Sequence, residues 1–366
     1  MPERNTMKKI QELQQVKGDA YDYYIAGNED TDLFEKIFLV DDIVEEICKP
    51  DKYFLIGEKG SGKTAYSVYM SKSDKINSFC SISLVENTLY QRFLNMKRQK
   101  ALELSSFKDV WINLIYLILA EKIRKEYGET FFSSMKYKQL SKAIDVFYSD
   151  AFKPEFVNAF EFVDNASASI NSMMKQGLFS TGTKASAETS QKYVEQSFQI
   201  SLLKIRDGFE KAFMSVNLKK PTILFVDGID ARPRDIDNEQ YFECLVGLVN
   251  AVLEMNQSFL KEKQIKIMLL IRPDIMYKMP VHNMNQKLRN NSVLLNWVTS
   301  YRKYIDSKLF KIADDYFMKQ QDYSYELGEC WNYYFPYKVE YQEKWKAPDN
   351  PFVEFLRYSL YRSEER

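Results

Sequence analysis

The sequence predicts an α/β fold with a largely parallel central sheet. Four short apolar segments, near residues 53, 78, 222 and 265, have the length of buried strands, and helix-compatible segments separate them. The first segment ends in a loop that holds three of the chain's 12 glycines, and the third ends in an aspartate. We therefore expect one parallel sheet flanked by helices.

The composition is that of a globular chain without an overall charge. The 366 residues are 45% hydrophobic and 28% charged, with 51 lysines and arginines against 51 aspartates and glutamates. A neutral chain has no net field that draws it to nucleic acid or to an anionic membrane. The neutral total is still compatible with a local basic patch. The 25 Tyr and 25 Phe predict a core rich in aromatic rings.

Cysteine and histidine usage predicts a reduced, cytoplasmic protein. The four cysteines are far apart in sequence and His282 is the single histidine, so a zinc site is not expected. The N-terminus, MPERNTMKKIQELQQ, is polar and charged, unlike a signal peptide. The longest apolar stretch, 110–120, is too short to cross a bilayer, and no membrane partner is expected.

Three regions are predicted along the chain. Residues 1–50 form an N-terminal helical segment, in which Pro50 ends the last helix. Residues 51–290 form the α/β core, with an insertion at about 130–200. Residues 291–366 form a helical C-terminal subdomain.

The individual elements are predicted from apolar periodicity and turn residues. Strands are expected at 53–56, 78–85, 222–227 and 265–272. Helices are expected from about Lys63 and at 7–16, 32–48, 87–104, 107–127, 192–215 and 238–256. Within the insertion, the serine- and alanine-rich piece 165–191 predicts a β-hairpin or a loop.

The loop after the first strand has a pattern with a phosphate-binding mechanism. It fits G-x-x-x-x-G-K-[ST] without departure, with Ala65 following: Gly57-Glu58-Lys59-Gly60-Ser61-Gly62-Lys63-Thr64. Glycines let successive N–H groups approach phosphate oxygens, helped by the N-terminus of the next helix. Lys63 is expected to reach the β- and γ-phosphates, and the Thr64 hydroxyl to bind Mg²⁺. A chance match would occur in roughly one chain in a hundred of this length.

A carboxylate for the metal is expected at the end of a neighbouring strand, because Mg²⁺ prefers oxygen ligands. The apolar run that starts at Thr222 ends in Asp227, a Walker B pattern, and we assign Asp227 as the Mg²⁺ ligand. Gly228 follows directly, where many ATPases have a second acid. The next acid, Asp230, is the candidate general base, with the alternative that it caps a turn or a helix.

An arginine closes the strand predicted at 265–272. Arg272 is followed by Pro273 and Asp274. A cation at the tip of a strand beside the magnesium strand would lie near the γ-phosphate and stabilise transferring charge. The alternative is a surface arginine before a helix that begins at the proline, with Asp274 capping or beginning that helix.

Three segments together resemble a family. GEKGSGKT, ILFVDGID and MLLIRPDI are similar to motifs of bacterial P-loop ATPases allied to the AAA+, STAND and KAP groups, in particular the FunZ-type ATPases. The resemblance implies an ASCE-type P-loop NTPase fold, with a parallel sheet flanked by helices and a helical C-terminal lid. It is specific over about 50–90 and 215–300 and loose elsewhere.

The resemblance also assigns residues. Lys63 and Thr64 match the nucleotide-binding pair, Asp227 the magnesium acid, Asp230 the second acid and Arg272 the sensor position. In FLRYSLYRSEER, Arg362 matches a second sensor arginine that contacts the nucleotide, although Ser363 replaces the family's usual proline. Relatives often complete their site with an arginine from a neighbouring subunit, which implies a homo-oligomer.

These patterns predict an ATPase that uses ATP and Mg²⁺ and whose nucleotide state switches a protein or nucleic-acid partner, with bacterial defence as a family association. Two alternatives stay open: a nucleotide-gated scaffold or sensor with negligible hydrolysis, and a DNA-dependent AAA+-like motor. A GTPase is disfavoured because the chain has no NK dipeptide for an N-K-x-D motif, and an ABC ATPase because it has no serine-glycine-glycine signature.

Two other clusters of residues have both a purely structural and a functional interpretation. The basic run Arg92, Lys97, Arg98 and Lys100 is either a solvated helix face or a contact to nucleic-acid phosphates. The aromatic segment 331–345 either packs a small helical subdomain or stacks on bases. The structural interpretation is favoured in both cases: the chain has no net positive charge to favour nucleic acid at the basic run, and the aromatic rings suit the packing of a small helical subdomain.

Overall fold

The computed structural model of the chain describes residues 7–25, 28–85, 107–132, 137–150, 202–230, 238–279, 284–297, 301–339 and 350–364. The chain divides into two compact units. The sheet unit consists of residues 46–63 and 74–294, and the helical unit consists of residues 1–45, 64–73 and 295–366. The three-part division predicted from the sequence stays a prediction.

The described part of the sheet unit contains a five-stranded, all-parallel sheet with the strand order β2-β3-β4-β1-β5. Its strands are β1 (Phe54–Gly57), β2 (Phe79–Leu84), β3 (Thr222–Asp227), β4 (Ile265–Ile271) and β5 (Ser292–Leu295). The α/β class and the first four strands are confirmed. The sequence-based interpretation missed β5, which has only four residues.

The order of the strands differs from the expectation in one respect. The strand that ends in Asp227, β3, is not the neighbour of β1, because β4 lies between them. The register keeps the carboxyl ends level: Val226 lies opposite Leu269 of β4, and Ile271 lies opposite Ile56 of β1. The residues that follow β1, β3 and β4 therefore emerge at one edge, where parallel α/β sheets bind ligands.

Helices flank the sheet and form the helical unit. Their bounds are α1 (Tyr21–Ile25), α2 (Asn28–Ile37), α3 (Asp42–Cys48), α4 (Lys63–Lys72), α5 (Phe107–Phe132), α6 (Lys138–Asp150), α7 (202–215), α8 (Asn238–Asn256), α9 (Pro273–Lys278), α10 (Met284–Asn291), α11 (Lys308–Met318), α12 (Glu329–Tyr334) and α13 (Pro351–Glu364). Single 3₁₀ segments cover Ile10–Glu12, Phe259–Lys261 and Tyr301–Asp306. Within these ranges, no helix combines the length and the apolar character that a membrane crossing requires.

Two predicted N-terminal helices are wrong. The polar helix expected at 7–16 is only the 3₁₀ turn Ile10–Glu12. The helix expected at 32–48 is two helices, α2 and α3, because Asp41 starts a new one. The Asp41 carboxylate accepts a hydrogen bond from the backbone N–H of Ile43 at 3.2 Å, and the Asp41 carbonyl accepts one from the backbone N–H of Val44. These are hydrogen bonds that an N-cap residue makes.

The core of the sheet unit forms where α5 and α8 pack together. Gly247 permits this approach, because a Cβ at that position would lie 2.6 Å from the Cβ of Phe107. The Asn256 amide then ties α8 to β4, since it donates to the carbonyl of Ile267 at 2.7 Å and accepts from its N–H at 2.8 Å. These two hydrogen bonds imitate a strand pairing and hold α8 in register with the sheet.

The first part of the predicted insertion belongs to this core. Leu140, Ile144 and Phe147 of α6 are fully buried and join the same hydrophobic cluster as Phe209 of α7. The sequence-based interpretation did not predict α6. The piece 165–191, with its predicted hairpin or loop, lies outside the described residues.

Aromatic packing organises the helical unit. Phe310, Phe317, Trp331 and Phe352 are buried in one cluster, and Trp331 stacks on Phe335 with ring centroids 4.3 Å apart. The described part of the segment 331–345 therefore packs within the helical unit, as the structural interpretation of these aromatic residues predicted. Such ring pairs add specific geometry to the burial of apolar area.

A second set of contacts in the helical unit surrounds α4. The ring of Phe38 stacks on Tyr69 at 4.2 Å. The Asp41 carboxylate accepts from the Tyr66 hydroxyl at 3.0 Å and from the Lys308 ammonium at 2.7 Å. Asp41 thus joins the N-terminal segment to α4 and to α11.

A buried carboxylate caps α12, and its removal should destabilise the helical unit. Asp314 is 0% exposed and accepts from the backbone N–H groups of Gly328 at 2.7 Å and Trp331 at 2.8 Å. We expect Asp314→Ala to lower the free energy of unfolding by about 3 kcal/mol, because two buried N–H groups lose a charged acceptor. Urea denaturation monitored by tryptophan fluorescence measures this change. Asp315→Ala, on the half-exposed next residue, is the control, and equal losses in the two variants would contradict the capping role.

Candidate functional site

The loop after β1 turns in a way that requires glycine. The strand is fully buried up to Gly57, and the loop then closes a turn in which the Ser61 N–H donates to the Glu58 carbonyl at 3.1 Å. Gly60 and Gly62 have φ values of 80° and 86°, a left-handed conformation that costs other residues energy. Helix α4 starts directly afterwards at Lys63. The strand, loop and helix predicted around the G-x-x-x-x-G-K-[ST] pattern are therefore present.

The side chain of Lys63 folds back onto this loop. Its ammonium is buried and donates to the carbonyls of Gly57 at 2.8 Å and Glu58 at 3.2 Å. The same nitrogen lies 3.9 Å from the Asp230 carboxylate. Burial lowers the pKa of Lys63, and the charge of Arg272 lowers it further, while the carboxylates of Asp230, Asp227 and Glu58 oppose the change. The site thus holds a desolvated cation with acidic neighbours.

Asp227 ends β3 at the same edge of the sheet. Its side chain is buried, and Oδ1 accepts from the N–H of Gly228 at 2.7 Å. Gly228 has φ +87°, and a Cβ on it would lie 3.0 Å from the carbonyl oxygen of Val85. A side chain directly after Asp227 would be both strained and crowded. This explains why no second acid occupies that position.

Asp230 is the next acid, two residues beyond Gly228. Its Oδ1 is buried without a hydrogen-bond partner among the described residues. Burial raises the pKa of Asp230 to about 6, Asp227 and Asp274 raise it too, and the cations Lys63 and Arg272 oppose the change. A buried carboxylate with a raised pKa beside a charged partner is typical of functional sites. The alternative interpretation, in which Asp230 caps a turn or a helix, stays a prediction, because residues 231–237 lie outside the described residues.

Arg272 follows β4 and is the N-cap residue of α9, with Pro273 at the first helical position as expected. Its Nε and Nη2 atoms donate to the two carboxylate oxygens of Asp274, both at 2.9 Å. The positive charge of Arg272 lowers the pKa values of Lys63 and Asp230. The structure therefore brings Lys63, Asp227, Asp230 and Arg272 together at one edge of the sheet.

The other predicted site residues lie on the loop, on α4 or on α13. Glu58, Lys59 and Gly60 are exposed on the loop and Ser61 is buried. Thr64 and Ala65 are the next residues of α4 and belong to the helical unit, so their assigned roles stay predictions. Arg362 is on α13, but its side chain lies outside the described part of the structure, as do the basic run Arg92–Lys100 and His282.

The donor set fits a cation that is shared with phosphates. No group of three or more His, Cys, Asp or Glu side chains in the described ranges forms a metal cage. Mg²⁺ is commonly held by one or two carboxylates together with substrate phosphates and water. Asp227 at the end of β3 can supply such a carboxylate.

The pairing of Arg272 with Asp274 was missed by the sequence-based interpretation, which gave Asp274 only the first turn of the helix. The signal was local, because an arginine and an aspartate two residues apart flank a proline that fixes the backbone between them. The oriented guanidinium is thus a feature of three consecutive residues.

Comparison with models of protein families, with curated protein sequences and with solved protein structures found no match to this chain. The resemblance of the three motifs to P-loop ATPases therefore stays an expectation. The function has to be inferred from the residues that meet at the carboxyl edge of the sheet.

Proposed function

We propose that this chain is an ASCE-type P-loop ATPase, which binds ATP with Mg²⁺ at the carboxyl edge of its sheet and hydrolyses it. The nucleotide state would switch a protein or nucleic-acid partner. The observation that carries the proposal is the buried ammonium of Lys63, which donates to two loop carbonyls and lies 3.9 Å from Asp230. The same proposal includes a helical lid within residues 291–366.

Phosphate binding would use the groups that the loop already orders. The left-handed glycines Gly60 and Gly62 leave room for phosphate oxygens to approach the backbone N–H groups. Lys63 would exchange its two carbonyl partners for phosphate oxygens. That exchange is favourable because a buried ammonium interacts more strongly with a charged acceptor than with a neutral one.

Hydrolysis would use the two carboxylates in different roles. Asp227 would hold Mg²⁺, which supplies positive charge that neutralises the phosphate oxygens. Asp230 would accept a proton from the attacking water as the water oxygen bonds to the γ-phosphorus and the bond from that phosphorus to the bridging oxygen breaks. A raised pKa makes Asp230 a stronger base than an exposed aspartate. Arg272 would stabilise charge on the γ-phosphate.

A second candidate function is a nucleotide-gated sensor that binds ATP and hydrolyses it negligibly. The observation that favours it is Gly228, because the position after Asp227 cannot hold a second acid without strain against Val85. In that case Asp230 would set the electrostatics of the site without acting as a base.

The test of the proposed function compares wild type with Asp227→Asn. We expect wild type to release phosphate from MgATP and to gain about 2.7 kcal/mol of stability at an ATP concentration 100 times the dissociation constant. Asp227→Asn should lower turnover at least about tenfold, because a neutral amide holds Mg²⁺ less well. Asp207→Asn, on an exposed residue paired with Lys211, is the matched control and should behave as wild type.

The outcomes separate the candidates. Turnover that Asp227→Asn reduces supports the ATPase, and tight binding without turnover supports the sensor. Turnover that DNA stimulates and salt suppresses supports the DNA-dependent motor. A folded wild-type protein that gains no stability from ATP, with or without Mg²⁺, would overturn the proposal.

A further inference from the structure

We propose that Asp274 is a positioning residue for Arg272, which it holds so that the free edge of the guanidinium faces the γ-phosphate of bound ATP. The inference rests on the proposed nucleotide site and assigns it a residue that neither motif spacing nor the resemblance assigned. It concerns how the site distinguishes a triphosphate from a diphosphate.

The contact between the two side chains is bidentate. Nε of Arg272 lies 2.9 Å from Oδ1 of Asp274, and Nη2 lies 2.9 Å from Oδ2. Two parallel hydrogen bonds fix the plane of the guanidinium as well as its position. The pair uses two of the five N–H donors of arginine, so three remain on Nη1 and Nη2, and two of these lie along the edge that can face a phosphate.

The backbone makes this pair rigid. Arg272 is the N-cap residue of α9 in an extended conformation, and Pro273 at the first helical position fixes φ between the two partners. The carbonyl of Arg272 also accepts from the N–H of Met276 at 3.1 Å. The guanidinium is therefore oriented by three consecutive residues and not by a long flexible loop.

Stability does not explain the pair. The side chains are 26% and 44% exposed, and ion pairs this exposed add little to the free energy of folding. Orientation is what the geometry supplies. Arg272 acts electrostatically on both Lys63 and Asp230, so the oriented cation belongs to the cluster that would surround the phosphates. A group held in place before binding loses little entropy when the ligand arrives.

The test measures dissociation constants for ATP and ADP in wild type, Arg272→Lys, Asp274→Asn and the double variant. We expect each single variant to lower the preference for ATP over ADP about tenfold, because charged hydrogen bonds to one phosphate are lost. Affinity for ADP should stay within about twofold. The preference of the double variant for ATP over ADP should be no lower than that of the single variant with the lower preference, since both changes remove the same interaction. Asp274→Glu, which keeps the carboxylate, should recover part of the preference.

The outcomes keep this inference apart from the proposed function. If wild type prefers ATP and Asp274→Asn keeps that preference, the positioning role is wrong while the nucleotide site stands. A stronger preference for ATP in Asp274→Asn would mean that Asp274 competes with the phosphate, and would also overturn the inference. Equal losses of ATP and ADP affinity would show a merely structural role. A wild-type protein that binds neither nucleotide would overturn the proposed function and the inference with it.

Discussion

Lys63→Met should weaken the binding of ATP about 100-fold or more and abolish hydrolysis. The ammonium is buried on its own loop and would supply charged hydrogen bonds to the phosphates, which methionine cannot make. Methionine has a similar length and is apolar, so it fits the space that the lysine stem occupies. Displacement of a fluorescent ATP analogue measures the affinity, and phosphate release measures the turnover.

The fold should tolerate this substitution. The variant removes a cation whose pKa burial lowers, which relieves a desolvation cost, and it deprives the carbonyls of Gly57 and Glu58 of a donor. We expect these effects to leave the free energy of unfolding within about 1 kcal/mol of wild type. Lys211→Met removes an exposed lysine and serves as the control for the loss of charge. If Lys63→Met binds MgATP within about threefold of wild type, Lys63 does not contact the phosphates.

Asp230→Asn should lower the rate of hydrolysis about 100-fold or more and at the same time stabilise the free protein. Removal of a general base commonly costs a factor of 10² to 10⁴. The carboxylate has a buried oxygen without a partner in the described structure, and it faces Lys63 and Arg272 as cations and Asp227 and Asp274 as acids. A neutral amide avoids the cost of burying a charge that these neighbours only partly offset.

The sign of the pH dependence follows from the raised pKa. The pKa of Asp230 is about 6 in the folded chain against 3.8 for the free side chain, so the folded state binds the proton more tightly. Asp230 therefore contributes stability below about pH 4 and loses that contribution as the pH rises through 6. We expect Asp230→Asn to be more stable than wild type by about 1–3 kcal/mol at pH 8, with the difference shrinking toward pH 4.

The same ionisation should appear in the kinetics. A general base must be ionised, so wild-type turnover should fall below about pH 6, and the residual activity of Asp230→Asn should lack that limb. Thermal unfolding at pH 4, 6 and 8 and a rate profile from pH 5 to 9 measure the two effects. A variant that is less stable than wild type at pH 8 would contradict the buried charge, and an unchanged acid limb would exclude Asp230 as the base. Asp207→Asn again provides the control.

The parts of the site that could be predicted are those fixed by short segments. Gly60 and Gly62 have the left-handed conformation that the glycine-rich pattern implied, and Asp227 ends a buried strand as its apolar run indicated. Arg272 and Pro273 begin a helix together because proline is favoured at the first helical position. Local residue chemistry was sufficient in each case.

The parts that could not be predicted depend on distant residues. Strand β5 has only four residues, and Leu294 at its centre is 63% exposed, so its short apolar pattern is weak. Its place is fixed by β1, where the Tyr53 N–H donates to the carbonyl of Asn291 at 2.7 Å. The position of β4 between β1 and β3 likewise follows from its pairing with β1, in which Phe54 lies opposite Leu269, more than 200 residues later. Apolar periodicity does not encode either partner.

The break between α2 and α3 has the same origin. The apolar stripe from Leu33 to Ile47 continues through the break without interruption, which is why one helix was expected. Helix α2 ends at Ile37 and α3 begins at Asp42, after Asp41, whose carboxylate is shared by Tyr66 and by Lys308, which is 267 residues away. A side chain held in this way favours a cap over another helical turn.

The N-terminal segment has a consequence for biosynthesis. The backbone N–H of Lys8 donates to Gln321, 313 residues later, at 2.9 Å, and the Lys8 carbonyl accepts from the Tyr334 hydroxyl at 2.6 Å. A ribosome that adds 5–20 residues per second would need roughly 15–60 s to deliver those partners. During that time the nascent sheet unit can already collapse, while Lys8 still lacks its partners Gln321 and Tyr334. We therefore expect the helical unit to be completed only after residues 321–334 have been synthesised, and chaperones that hold emerging chains to have their greatest effect on its assembly.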